Sequence, residues 1–236
     1  MEKERLSYAE FKSFLGESKR NSDPLFCRFF LRPLSFPLGW IFYKSGMRAN
    51  TISCISIGIT LVASFLIISA GDEDIILASF FMIFVALLDC VDGNIARARG
   101  ETGPSGEWMD ALSGYTVYAF LPVALGISVQ EGSQSDLAAG TWILIGAITS
   151  IANLYLRLIY QKYVNSFPEP MTKNEFKGEQ SFFAKFSSEM GLVGWMMPAL
   201  LFASFTNTIY LYMIFYCFFY VISAVAVTIV LFRKVN

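Results

Sequence analysis

Apolar residues run along this chain in blocks of about 20, longer than the alternating or one-sided patterns of helices and strands that face water. A helix rising ~1.5 Å per residue needs about 20 residues to cross ~30 Å of hydrocarbon. Five blocks reach or approach that length without a single formal charge: Ala49–Gly71, Ala111–Gln130, Leu137–Leu156, Met190–Asn207 and Thr208–Phe232. A sixth, Ile75–Arg97, is apolar as far as Leu88 and then admits Asp89 and Asp92. The pattern predicts an all-α polytopic membrane protein with six transmembrane helices. Ahead of them, Asp23-Pro24 reads as a helix start leading into Leu25–Met47, where Phe, Trp40 and Tyr43 mix with Arg28 and Arg32. Pro33 and Pro37 argue against a straight span there, so this stretch is predicted to lie on the membrane as an interfacial amphipathic helix. Its aromatics would enter the interface and its arginines snorkel to headgroups. The chain thus divides into an N-terminal cytoplasmic and interfacial segment, 1–48, and a six-helix transmembrane catalytic-type domain, 49–236.

Charge supports this count. If the spans alternate, Gly71–Asp74, Gln130–Asp136 and the turn at Thr206-Asn207 share one side, where the only charges are acidic. All 18 Lys and Arg residues then fall on the other side. That asymmetry predicts the cytoplasmic (inner) membrane as the location, with both termini facing the cytoplasm. The start, Met1 to Arg5, is too charged for a cleaved signal peptide. Asn165–Gln180, with Pro168 and Pro170, is the substantial internal loop. Lys162, Lys173, Lys177 and Lys185 read as charges over anionic lipid.

Composition narrows the chemistry. Only 16% of residues are charged against 55% apolar, and the net charge of -1 argues against nucleic acid as a partner. Histidine is absent, so any reaction must use carboxylates, hydroxyls, Lys or Arg. Cys27, Cys54, Cys90 and Cys217 show no C-x-x-C spacing and read as small apolar side chains.

The intramembrane acids stand out. Asp89 and Asp92 share a helical face, with Asp89 about 21 Å along the span from Ile75. Two buried carboxylates repel and need a compensating cation. Asp110, just inside the next antiparallel span, supplies a third. Three such groups at a cytoplasmic opening form an oxygen-only site for Mg²⁺ or Mn²⁺. The metal would bring phosphate to a notch at Gly93 and Ala96, with Arg97 in reach of an anionic oxygen. A carboxylate-based cation or proton transporter also explains intramembrane acids, but not the ordered Gly, Ala and Arg positions.

Read together, Asp89-x2-Asp92-Gly93-x2-Ala96-Arg97-x8-Gly106-x3-Asp110 resembles the signature of the CDP-alcohol phosphotransferase (CDP-alcohol phosphatidyltransferase) family. The resemblance implies a six-span enzyme, usually a homodimer, with its active site facing the cytoplasm. Such enzymes cleave the diphosphate of a CDP-linked lipid or alcohol, pass the phosphoalcohol to a hydroxyl and release CMP. It further implies that Asp89, Asp92 and Asp110 bind the divalent metals and that Gly93, Ala96, Arg97 and Gly106 shape the nucleotide pocket. Ala49-Asn50-Thr51-Ile52-Ser53 looks like the family's Pro-Asn-x-x-Thr/Ser element with Ala for Pro, which adds Asn50 and Ser53 to that pocket.

One signature position departs. The family has a fourth aspartate four residues after the third, held to be a metal ligand and the general base, where this chain has Gly114. Three readings stay open. Glu107 or Glu189 takes the base role; the acceptor oxygen is already ionised; or the chain is an inactive relative that binds nucleotide or a partner. Arg157, closing an uncharged run, is a candidate for gripping an acceptor phosphate. Pro122 and Pro198 are expected to kink their spans, and the aromatics of the last span to face lipid.

Overall fold

Six helices in the computed structural model are long and apolar enough to cross a membrane, and a short helix precedes them. The structure describes residues 6–16, 21–69, 72–132, 138–167 and 182–235. In chain order come α1 (Tyr8–Ser13), a π-helical turn (Cys27–Leu31) running into α2 (Arg32–Lys44), α3 (Ala49–Ser69), α4 (Asp72–Arg99), α5 (Pro104–Glu131) and α6 (Thr141–Ser166). They are followed by α7 (Phe182–Glu189), a second π-helical turn (Leu192–Met196), α8 (Met197–Phe205) and α9 (Ile209–Val235). The chain is a multi-pass, all-α membrane protein. Much of the loop expected at Asn165–Gln180, with Lys173 and Lys177, and part of Gln130–Asp136 lie outside the described residues.

Helix α4 is the central element. It packs against α2, α3 and α8, while α5 lies on α3 and α6, and α9 closes on α6. Met82, Leu88, Leu121, Leu125, Met197 and Leu200 fill the interior and are almost fully buried. The α5–α6 contact is unusually close. A Cβ on Gly126 would stand 2.6 Å from the Trp142 carbonyl oxygen, and one on Gly146 would collide with the Pro122 carbonyl. Only glycine permits that approach.

At the N-terminus, Ser7 and Glu10 form a reciprocal capping box that starts α1. This helix seats Phe11 beneath α2, against Gly39 and Tyr43. Trp40 Nε1 donates to the Leu6 carbonyl, and α2 packs on α4, so the N-terminal segment is joined to the bundle.

Five sequence expectations need correction. Arg32 does not snorkel: it is 6% exposed and paired with Asp23. Pro198 lies in the first turn of α8, where its missing N–H costs nothing, and the chain bends instead at Gly194, whose φ/ψ of -92°/-134° is non-helical. The last-span aromatics divide: Phe215 and Phe218 are exposed, whereas Tyr212, Tyr216 and Tyr220 are buried. Their spacing of four residues places them on one helical face, against Tyr118. Cys54 is exposed, unlike Cys27 and Cys90. The fourth span also runs on to Ser166, so Arg157 lies within a helix rather than at its end.

Candidate active site

The first turns of α3 and α5 and the last turns of α4 meet at one end of the bundle. Between them lies a cavity of about 310 Å³. Its wall from α4 carries Asp89, Asp92, Gly93, Ala96 and Arg97; α3 contributes Ala49, Asn50 and Ser53; α5 contributes Gly106, Glu107 and Asp110. Ala49 and Asp110, 61 positions apart in sequence, therefore share one space, because α4 and α5 are antiparallel around the short connection Gly100–Gly103. Gly100 adopts φ +67°, the left-handed conformation that ends α4 sharply.

The cavity is graded in depth. Glu101, Thr102, Glu107 and Asp110 are exposed at its rim, and Asp92 is 6% exposed within. Asp92 Oδ2 accepts a 2.7 Å hydrogen bond from Ser53 Oγ, which also reaches its own helix at the Ala49 carbonyl, 3.3 Å away. Asp89, Asp92 and Asp110 all line this cavity, so the three carboxylates share one acidic wall. The Asn50 amide donates to Ser105 Oγ at 3.3 Å, joining the mouth of α3 to that of α5. Asn50 lies inside the first turn of α3 rather than ahead of it.

The expected notch at Gly93 exists, but its neighbour is the guanidinium of Arg97. A Cβ there would lie 3.3 Å from Arg97 Nη2 and 3.4 Å from Nη1. Arg97 folds back along α4 and donates from Nη2 to Asn94 Oδ1 at 2.9 Å, while its buried Nε has no hydrogen-bond partner. Gly106 allows α5 to pass the Glu101 carbonyl, 3.3 Å from where its Cβ would stand.

Three candidates stand elsewhere. Both oxygens of Glu189 accept the Leu25 N–H at 3.0 Å, and the residue does not line the cavity. Arg157 stacks over the Tyr118 ring, 4.0 Å from its centroid, with Nε donating to Asn153 Oδ1. Gly114, one turn beyond Asp110, has only Tyr118 Cε2 near the position of a Cβ, at 3.9 Å, so a side chain would fit there. Sequence reading missed Arg32, Asn94 and the Glu101–Gly103 rim. Arg32 lines the cavity, with Nε and Nη2 on Asp23 at 2.6 and 3.1 Å. Burial alone would lower the pKa of that guanidinium, but the hydrogen bonds it donates to the Asp23 carboxylate reverse the shift and hold it above its ordinary value. The available signal was an aspartate nine residues ahead of an arginine in a largely apolar, proline-containing stretch.

The donor set decides what the cavity suits. Carboxylate and hydroxyl oxygens on one side, without thiol or imidazole, match a hard divalent cation. The unpartnered Arg97 Nε on the other side matches an anion. Among the described residues, no three His, Cys, Asp or Glu side chains form a ready-made metal cage. Asp89, Asp92 and Asp110 share the cavity wall, and the substrate side of the ion would be completed by other oxygens, as is usual for Mg²⁺.

No curated protein matches the chain significantly. The family model described as CDP-alcohol phosphatidyltransferase matches residues 47–232, from just before α3 to near the end of α9. The acidic cavity falls within that stretch, and the chain belongs to the CDP-alcohol phosphatidyltransferase family.

Proposed function

We propose that the chain transfers a phosphatidyl or phosphoalcohol group from a CDP-linked lipid or alcohol to a hydroxyl or anionic acceptor, releasing CMP, in membrane lipid or envelope synthesis. Family membership implies CDP-alcohol phosphotransferase activity. The observation that carries the finer reading is the meeting of Asp89, Asp92, Asp110 and Arg97 around one cavity at the end of the bundle. In this reading Asp89, Asp92 and Asp110 hold Mg²⁺ or Mn²⁺, which when bound polarises the diphosphate and offsets charge on the leaving CMP. Asn50, Ser53, Gly93, Ala96, Arg97 and Gly106 shape the nucleotide side, with both termini and the active site of the 49–236 transmembrane unit facing the cytoplasm and the chain pairing as a homodimer.

The acceptor oxygen forms a bond to the phosphorus that bears the alcohol. The bridging P–O bond breaks, and its electrons leave with CMP. The acceptor proton needs a base, and the family's aspartate is Gly114 here. Glu107 takes that role better than Glu189, because it lines the cavity while Glu189 is engaged with Leu25. Arg157 lies one helix away and would serve the acceptor side through Tyr118.

A second reading, an inactive relative, is favoured by Gly114 itself. The two are separated by CMP release from CDP-diacylglycerol and a panel of polar acceptors. Release by the native protein supports the enzyme. Release only by Gly114→Asp, which has room for its side chain, supports the inactive relative. No release by either version, together with cation flux into vesicles, would instead mark a transporter.

A further inference from the structure

The family match begins at residue 47, so Asp23 and Arg32 lie outside it, yet Arg32 forms part of the cavity wall. Its surroundings are built rather than incidental. Beyond its two bonds to Asp23, Arg32 Nη1 donates to the Cys90 carbonyl at 3.4 Å and to Asn94 Oδ1 at 3.3 Å. The same Asn94 oxygen accepts Arg97 Nη2 at 2.9 Å, and Asn94 Nδ2 donates to Ser35 Oγ at 3.0 Å. One buried amide oxygen therefore joins two guanidinium groups, with its own orientation fixed from α2.

Two adjacent cations repel, and burial amplifies the repulsion. Asp23 neutralises one of them. The other, Arg97, keeps a buried Nε without a partner beside the cavity. Four of the five Arg32 N–H groups are engaged by Asp23, Cys90 and Asn94, so Arg32 has little donor capacity left for a ligand. Its consequence is geometric: it holds Asn94, and through Asn94 it fixes where Arg97 can point.

We propose that Arg32 is a positioning residue, anchored by Asp23, that sets Arg97 for the diphosphate of the donor and makes the N-terminal segment a working part of the cavity. This rests on the reading that the cavity takes a CDP-linked donor. It predicts that losing Arg32 weakens recognition of the diphosphate without weakening recognition of the nucleoside.

The test is binding of CDP and of cytidine to the purified full-length protein in Mg²⁺, for the native chain, Arg32→Gln, Arg32→Lys, Asp23→Asn, Arg97→Gln and the double variant Arg32→Gln/Arg97→Gln. The expected result is about a tenfold loss of CDP affinity in Arg32→Gln with cytidine affinity unchanged. Arg32→Lys, which keeps charge but not the fork, and Asp23→Asn, which frees Arg32 without discharging it, should each lose several-fold. Because Arg32 acts through Arg97, the double variant should bind CDP no worse than Arg97→Gln alone. Additive losses in the double variant, parallel losses of CDP and cytidine, or native CDP affinity in Arg32→Gln would each overturn the proposal while leaving the donor reading intact. A native protein that does not bind CDP at all would overturn both.

Discussion

Ser53 Oγ donates to Asp92 Oδ2 at 2.7 Å, tying the first turns of α3 to the acidic end of α4. The bond spends one carboxylate oxygen on orienting a side chain that lines the cavity. A hydrogen bond to a charged group contributes about 1.5–3 kcal/mol, so Ser53→Ala should lower CMP release about 10- to 100-fold. It should also raise the Mg²⁺ concentration needed for half-maximal rate. A thermal midpoint close to native, read in the same preparation, would show that the loss arises in the cavity.

Glu107 and Glu189 were equivalent in sequence: two carboxylates at helix ends on the same face of the membrane. In space they differ, one lining the cavity and the other bonded to the Leu25 N–H. Glu107→Gln should cost about 10²–10⁴ in rate if it is the base. Glu189→Gln should leave the rate within a few-fold. The reverse order would transfer the base role to Glu189.

The α5–α6 contact tolerates no side chain at Gly146, where a Cβ would collide with the Pro122 carbonyl. Backbone on both sides cannot yield as a side chain would. Gly146→Ala is expected to destabilise the protein by about 1–3 kcal/mol, the ordinary range for overpacking. Fluorescence-detected thermal unfolding of the detergent-solubilised chain measures this. Gly58→Ala, with nothing within 4 Å of a Cβ, is the control and should be neutral or slightly stabilising.

Much of the bundle was legible because charge and apolarity disagree so sharply in a membrane protein. Asp89 and Asp92 were conspicuous for interrupting an apolar run, and the spacing to Gly93, Ala96 and Arg97 survives in the structure as one cavity wall. The network of Arg32, Asp23 and Asn94 was not legible. It joins residues 62 apart through a single amide oxygen, and no local period announces such a contact. Tyr212, Tyr216 and Tyr220 fall between these cases. Aromatic rings suit lipid and protein interior alike, so composition could not assign them, whereas their four-residue spacing did mark a common face.

Cys27 Sγ and Cys90 Sγ stand 3.5 Å apart and buried, one on the π-helical turn of the N-terminal segment and the other on α4. The hydrogen bond from Cys90 draws the Cys27 thiol below its ordinary pKa against the opposing effect of burial, and the nearby Arg32 adds to it. The thiolate is the reactive form, so coupling should quicken as pH rises through that lowered value. Treating membranes with copper phenanthroline should join the pair, two thiols giving up two protons and two electrons to the oxidant. Mass spectrometry after alkylation would detect the Cys27–Cys90 peptide. Labelling of both thiols after oxidation would contradict the docking of residues 27–31 on α4.

The most direct test of the central claim is CMP release from CDP-diacylglycerol by the native chain and by Asp92→Asn, each with Mg²⁺ or Mn²⁺ and again after chelation. The acidic cavity predicts metal-dependent release by the native protein that falls to background in Asp92→Asn while the thermal midpoint is kept. Release that persists undiminished in Asp92→Asn, or that ignores chelation, would contradict it.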